Sequence, residues 1–154
     1  MAEDTMALVE RVLGRKTRRM GAWFKALPSC EGASLLDEVT FRYLRGRYGA
    51  DLSSMITDGK GDDFEHIAGL PNVWAELKQV TKSGYVEHLD DLLLRRVRLG
   101  LLLPEGGSAE LPRIKNLVQE DLGWDELRWN QEVDRYNQIY QNYYSPNPRG
   151  IQKG

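Results

Sequence analysis

Cysteine is nearly absent from this sequence: Cys30 stands alone, so no disulfide can form within the chain, and nothing calls for an oxidising compartment. Histidine is scarce too. His66 and His88 lie far from each other and from Cys30, with no Cys-x-x-Cys or His-x-x-x-His spacing, so a zinc-ligand pattern is missing. Long apolar runs are also missing. The longest, Leu99-Gly100-Leu101-Leu102-Leu103, is far shorter than the ~18 residues that a membrane helix needs. Positive charge is not in surplus, with 21 Lys and Arg against 23 Asp and Glu and a net charge of -2. A nucleic-acid partner would be met by a basic patch or stripe, so no nucleic acid is expected. The opening Met1-Ala2-Glu3-Asp4 is acidic where a signal peptide has a basic region followed by an apolar one. These absences lead to the expectation of a soluble, cytoplasmic protein.

What is present is helical periodicity. The chain has 154 residues, 41% of them hydrophobic, enough for one domain with a real core. Met6, Val9 and Leu13 share one face of a first helix over 3–13, with Leu8 and Val12 beside it and Gly14 as its stop. A second helix is expected from Ser34 as cap, with Leu36, Val39 and Tyr43 on its buried face and Gly49 at its end. Residues 50–57 can add a short helix, and Asp58–Asp63 reads as a mobile loop. After Pro71, a third helix carries Val73, Trp74, Leu77 and Val80. Leu89, Leu93 and Val97 then repeat every fourth residue, behind the first-turn acids Asp90 and Asp91, until Pro104-Glu105-Gly106-Gly107 breaks the helix. Ile114, Leu117, Val118 and Leu122 make the stripe of the next helix. Asp125 caps the last, along which Trp129, Val133, Tyr136, Tyr140 and Tyr143 form an aromatic seam. Strand alternation is almost absent. The fold expected is all-α, a compact bundle of five to six amphipathic helices with short loops.

Catalytic constellations are hard to find. Asp62-Asp63, Asp90-Asp91 and Glu120-Asp121 are explained by solvation or helix capping, because general acid–base chemistry needs a pocket that shifts the pKa. Gly59 and Gly61 have neither a strand before them nor a Lys-Ser/Thr after them, so they make no phosphate loop. A Gly-x-Gly-x-x-Gly dinucleotide element does not occur. No catalytic, cofactor-binding or metal-binding residue is therefore predicted. Two features stand above background. Arg95, Arg96 and Arg98 cluster on one helix, where they can be ion-paired in place or dock against another domain. The Trp129–Tyr143 seam reads first as core and second as an interface. The basic stretch Arg15–Arg19 reads as a solvated loop rather than a lipid-binding segment, since no strongly apolar helix adjoins it.

The run Val86-Glu87-His88-Leu89-Asp90-Asp91-Leu92-Leu93-Leu94-Arg95-Arg96-Val97-Arg98-Leu99-Gly100-Leu101-Leu102 resembles a signature of the C-terminal domain of the FAD-dependent glycerol-3-phosphate dehydrogenase and alpha-glycerophosphate oxidase family. Leu122-Gly123-Trp124-Asp125 with the helix through Trp129 and Tyr136 is similar to that family's closing motif, and Leu44-Arg45-x-Arg47-Tyr48-Gly49 to its Arg/Tyr-Gly helix end. The three fall in the family's order and together cover most of 34–144. Departures are Lys78–Gly84, where the family more often has an acidic helix, and Val97 in place of a common Thr.

The resemblance implies a parent reaction from sn-glycerol 3-phosphate to dihydroxyacetone phosphate, with electrons passing to FAD and then to a quinone or other acceptor. It also implies that FAD and the catalytic residues belong to another domain, and that Met1-Ala2-Glu3-Asp4 resembles the helix that follows that domain. The chain is then a C-terminal cap, inactive in isolation. Its implied domain organisation is a linker helix at 1–14, a loop at 15–33, the helical cap at 34–145 and a disordered tail at 146–154. Its expected partner is the FAD-binding domain of the same polypeptide, contacted through Arg95, Arg96 and Arg98. A homodimer and a peripheral position on the inner face of the cell membrane are left open for the parent enzyme. The alternative is a stand-alone helical protein-interaction module.

Overall fold

The computed structural model describes residues 2–14, 29–30, 32–82 and 85–146. Seven α-helices are present among them: α1 Ala2–Leu13, α2 Glu38–Tyr48, α3 Leu52–Asp58, α4 Ala75–Lys82, α5 Leu99–Leu102, α6 Leu111–Val118 and α7 Glu126–Tyr143. Short 3-10 turns and one π-helical turn, Asp91–Arg96, join them. The described residues hold no β-strand beyond a single antiparallel bridge between His66 and Val73. The all-α expectation holds, with one helix more than the sequence periodicity resolves.

Apolar side chains collect in two clusters. The larger lies between α4, the π-helical turn, α5, α6 and α7, and contains Leu77, Leu89, Leu92, Leu93, Val97, Leu99, Ile114, Val118, Trp129 and Tyr136. The smaller joins α2 and α3 to the start of α4 and the residue Val73 before it through Leu44, Leu52, Met55, Ile56, Val73 and Ala75. Helices α2 to α7 bury residues against these clusters, and that burial, worth ~25 cal/mol per Å² of apolar area, holds helices too short to be stable alone.

The second helix begins later than expected. Ser34 lies in a 3-10 turn, Ala33–Leu35, and Asp37 is the cap, its carboxylate accepting from the N–H groups of Val39 and Thr40, both at 3.0 Å. An ionised carboxylate matches the positive end of the helix dipole better than a hydroxyl does. The covered face also differs from the expected one. Val39 is 77% exposed, while Thr40 and Leu44 are buried.

The segment Asp58–Asp63 is likewise more ordered than a mobile loop. Gly61–Phe64 forms a 3-10 turn. Its Asp63 is buried, accepts from the Lys60 N–H at 2.8 Å, and receives Lys78 Nζ on both oxygens at 2.8 Å.

The leucine-rich helix expected from His88 to Leu103 is broken in the middle. Leu92, Leu93 and Leu94 are all buried, which a single α-helical stripe cannot achieve. The chain widens into the π-helical turn, closed by Val97 N–H donating to the Leu92 carbonyl at 2.9 Å. It then reverses at Arg98, whose φ of 64° lies in the left-handed region, and restarts as α5. Leu99, the first residue after that turn, is fully buried.

On α7 the seam holds for Trp129 and Tyr136, which are buried, and partly for Val133 and Tyr140; Tyr143 points to solvent. In α1 the apolar residues Met6, Leu8, Val12 and Leu13 are exposed. The basic stretch 15–19 and the tail beyond Pro146 lie outside the described residues.

Candidate functional site

Four carboxylates are buried among the described residues, namely Asp63, Glu76, Asp90 and Glu132; each is paired with a cation, and all but Asp90 also accept from a backbone N–H. Burying such a charge is tolerable only when it is paired and hydrogen-bonded. Their arrangement therefore shows what the charged residues do.

Glu76, in the first turn of α4, is fully buried. One oxygen accepts from the Val73 N–H at 3.0 Å; the other accepts the Tyr48 hydroxyl at 2.8 Å and lies 3.3 Å from Arg47 Nε. Burial and the Glu76 charge push the Tyr48 hydroxyl far above its ordinary pKa, which keeps it a neutral donor. Arg47 also donates from Nη2 to the Arg96 carbonyl at 2.8 Å. The end of α2 is thereby tied to both α4 and the π-helical turn.

Glu132 on α7 gathers the start of the leucine-rich segment. It accepts from the Leu89 N–H at 3.0 Å, lies 3.0 Å from His88 Nδ1, and pairs with Arg128 Nη2 at 2.8 Å. Burial alone would raise its pKa, but His88 and the Leu89 N–H outweigh this and hold the carboxyl below its ordinary value. Asp91 is similar. Burial opposes ionisation, while the His88 N–H at 3.0 Å and the Arg95 guanidinium prevail and lower its pKa.

Asp90, almost wholly buried, pairs with Arg135 of α7 and with Arg95 Nη2 at 3.2 Å. Its Oδ2 has no aligned hydrogen bond, so Arg95 serves it through charge alone.

The three candidate arginines thus separate. Arg95 is committed to Asp90 and Asp91, although its side chain is 65% exposed. Arg96 lies over the Tyr85 ring, 5.5 Å from the centroid, with its carbonyl taken by Arg47. Arg98 is exposed and makes no ion pair with the described residues. Sequence reasoning missed Arg47, Arg135 and Glu76, each of which has a partner 28 or more residues away. The Arg128–Glu132 pair carried a local signal, since its spacing is i, i+4.

The remaining candidates for chemistry are also occupied. His66 Nε2 sits 3.2 Å from Thr40 Oγ1, and Cys30 is half-buried and accepts from the Ser53 hydroxyl at 3.4 Å. Among the described residues, no three His, Cys, Asp or Glu side chains could hold a metal ion together. The cleft lined by Met55, Asp63, Ala75 and Lys78 has a volume of about 20 Å³, room for roughly one water. Shallow grooves lie at Glu38, Val39, Arg42 and Tyr43, and at Tyr85, Glu87, Asp91, Arg95 and Arg96.

The class of protein that the fold defines is an all-α domain whose buried charges tie its own helices to one another. The chain belongs to the family of the C-terminal domain of alpha-glycerophosphate oxidase, whose family model matches residues 9–129. It is also similar to the mitochondrial glycerol-3-phosphate dehydrogenase of Mus musculus, 34% identical over 68 residues. That similarity covers 44% of this chain and only 9% of the mouse protein, so it spans a small part of the relative's length. No solved structure matches the chain.

Proposed function

We propose that this chain is the C-terminal cap of an FAD-dependent glycerol-3-phosphate dehydrogenase and that it docks on the catalytic domain without itself performing catalysis. The parent reaction in this reading oxidises sn-glycerol 3-phosphate to dihydroxyacetone phosphate. The electron pair passes to FAD, bound by the other domain, and on to a quinone or another acceptor. The cap acts in the cytoplasm or peripherally on the inner face of the membrane.

One observation carries the reading: the family match over residues 9–129 coincides with a fold whose buried carboxylates are committed to structural pairs. Glu76, Asp90 and Glu132 each link elements distant in sequence, which suits a rigid body that docks as a unit.

The test is to purify the chain, add FAD and sn-glycerol 3-phosphate, and follow reduction of an artificial electron acceptor. The expected result is a colourless protein with no turnover above the blank. Stoichiometric flavin absorbance, or acceptor reduction that depends on the substrate, would overturn the proposal.

A further inference from the structure

Two helix faces in this chain are rich in apolar side chains that the described fold leaves exposed. The first is on α1. At about 100° per residue, Met6, Val9 and Leu13 fall within about 60° of arc, and Val12 and Leu8 extend that arc to about 160°. Met6, Leu8, Val12 and Leu13 are exposed, and no α1 residue enters either apolar cluster. The second face is on α2, turned away from the buried Thr40 and Leu44. Val39, Arg42, Tyr43 and Gly46 lie at i, i+3, i+4 and i+7, within about 100° of arc. A groove runs between Glu38, Val39, Arg42 and Tyr43, and the exposed Leu35 stands just before the helix. A Cβ added to Gly46 would meet nothing within 4 Å, so the α2 backbone is open there to close approach by another helix.

The two faces match in length, charge and area. Helix α1 has 12 residues and α2 has 11. By sequence, α1 carries Glu3, Asp4 and Glu10 against Arg11, while α2 carries Arg42, Arg45 and Arg47 against Glu38. Two of the α1 acids stand in its first turn, and two of the α2 arginines in its last. An antiparallel pairing therefore brings opposite charges, and opposite ends of the helix dipoles, next to each other. Met6, Leu8, Val12, Leu13, Leu35 and Val39 are 44% to 77% exposed. Six such side chains offer roughly 100 Å² each, so a reciprocal exchange between two copies covers on the order of 1,200 Å², about the area of a stable interface.

We propose that α1 of one copy of this chain lies antiparallel in the α2 groove of a second copy, whose own α1 returns the contact. The result is a two-fold dimer in which the same pair of faces meets twice. All four exposed faces are covered at once, and no open end is left to recruit a third copy. The dimer does not depend on whether the chain acts as a cap.

Sedimentation equilibrium of the full chain tests this, and a dimer is expected in the micromolar range. Val39→Asp and Leu13→Asp each place a charge in the contact at a position already exposed within the chain. Each should raise the dimer dissociation constant about tenfold or more. Gly46→Gln should weaken the dimer too, while raising the thermal midpoint of the dilute, monomeric chain, because it enters open space and favours the helix. Damage to the fold would not give that combination. Antiparallel pairing also sets Leu13 beside Val39 of the other copy. A chain carrying Leu13→Cys, Val39→Cys and Cys30→Ser should therefore oxidise to a covalent dimer. A bridge within one chain would overturn the proposal in favour of α1 folding back on its own α2. A monomeric unaltered chain, or a dimer indifferent to all three single substitutions, would overturn it as well.

Discussion

The hydroxyl of Tyr136, on the last helix, donates to the carbonyl of Gly106 at 2.5 Å, across 30 residues of sequence. The same oxygen occupies the space above Gly100, where an added Cβ would fall 2.2 Å from it. One buried phenol thus fixes both the left-handed turn at Gly106 and the packing of α5.

Tyr136→Phe removes the only hydrogen bond that the phenol makes to Gly106 and should cost about 1–2 kcal/mol. Gly100→Ala should cost about 1–3 kcal/mol, because the added methyl meets Tyr136 and Leu94. The two costs should not add: with the phenol oxygen gone, the methyl has less to displace. Urea denaturation of the two single variants and the double variant measures the coupling. Strict additivity would show that the two residues do not share this space.

Asp37→Ala should destabilise the chain by about 1 kcal/mol, through loss of the cap on α2. Ser34→Ala should stay within about 0.5 kcal/mol, as an ordinary exposed substitution does. Thermal melts of both variants decide between the two positions as the start of the helix.

Arg135→Ala should cost about 2 kcal/mol or more, since it strips the buried Asp90 of its closest cation. Arg95→Ala should cost less than about 1 kcal/mol, because its side chain is mostly exposed and Arg135 still serves Asp90. Chemical denaturation gives both values. The reverse order would mean that Asp90 depends on Arg95.

Asp63, Asp91 and Glu132 are all held below their ordinary carboxyl pKa values of 3.8, 3.8 and 4.5. Each binds a proton more weakly folded than unfolded, so each contributes stability above the unfolded value. That contribution disappears as pH falls through the lower, folded value. The thermal midpoint should be nearly flat between about pH 6 and 8 and drop below about pH 4. Glu132→Gln should lower stability by about 2 kcal/mol at neutral pH, by removing a buried charge from Arg128 and His88. The gap to the unaltered chain should narrow as pH falls, because the native carboxyl is then protonated as well. A gap independent of pH would show that the ionised form is not what matters.

The sequence alone determined the class of fold and most of the helices, because apolar spacing and stop residues are local properties. Gly49 does end α2, Asp125 caps α7, and Leu89, Leu93 and Val97 are buried as their spacing requires. The family motifs could be read in the same way. Periodicity could not place the covered face of α2, where Val39 was expected inside and Thr40 took its place. The cap lies three residues after Ser34, and which face of the helix is covered depends on what packs against it.

Only the tertiary structure decided which arginines are free. Arg95, Arg96 and Arg98 look alike in sequence, as a cluster on one helix. The π-helical turn and the left-handed Arg98 break that helix, so that three consecutive leucines and Leu99 can all reach the core. Arg95 is thereby turned toward Asp90 and Asp91, Arg96 toward Tyr85, and Arg98 toward solvent. Charge type and spacing are written in the chain, but whether a charge has a partner depends on burial across long sequence separations, and that is settled only when the helices pack.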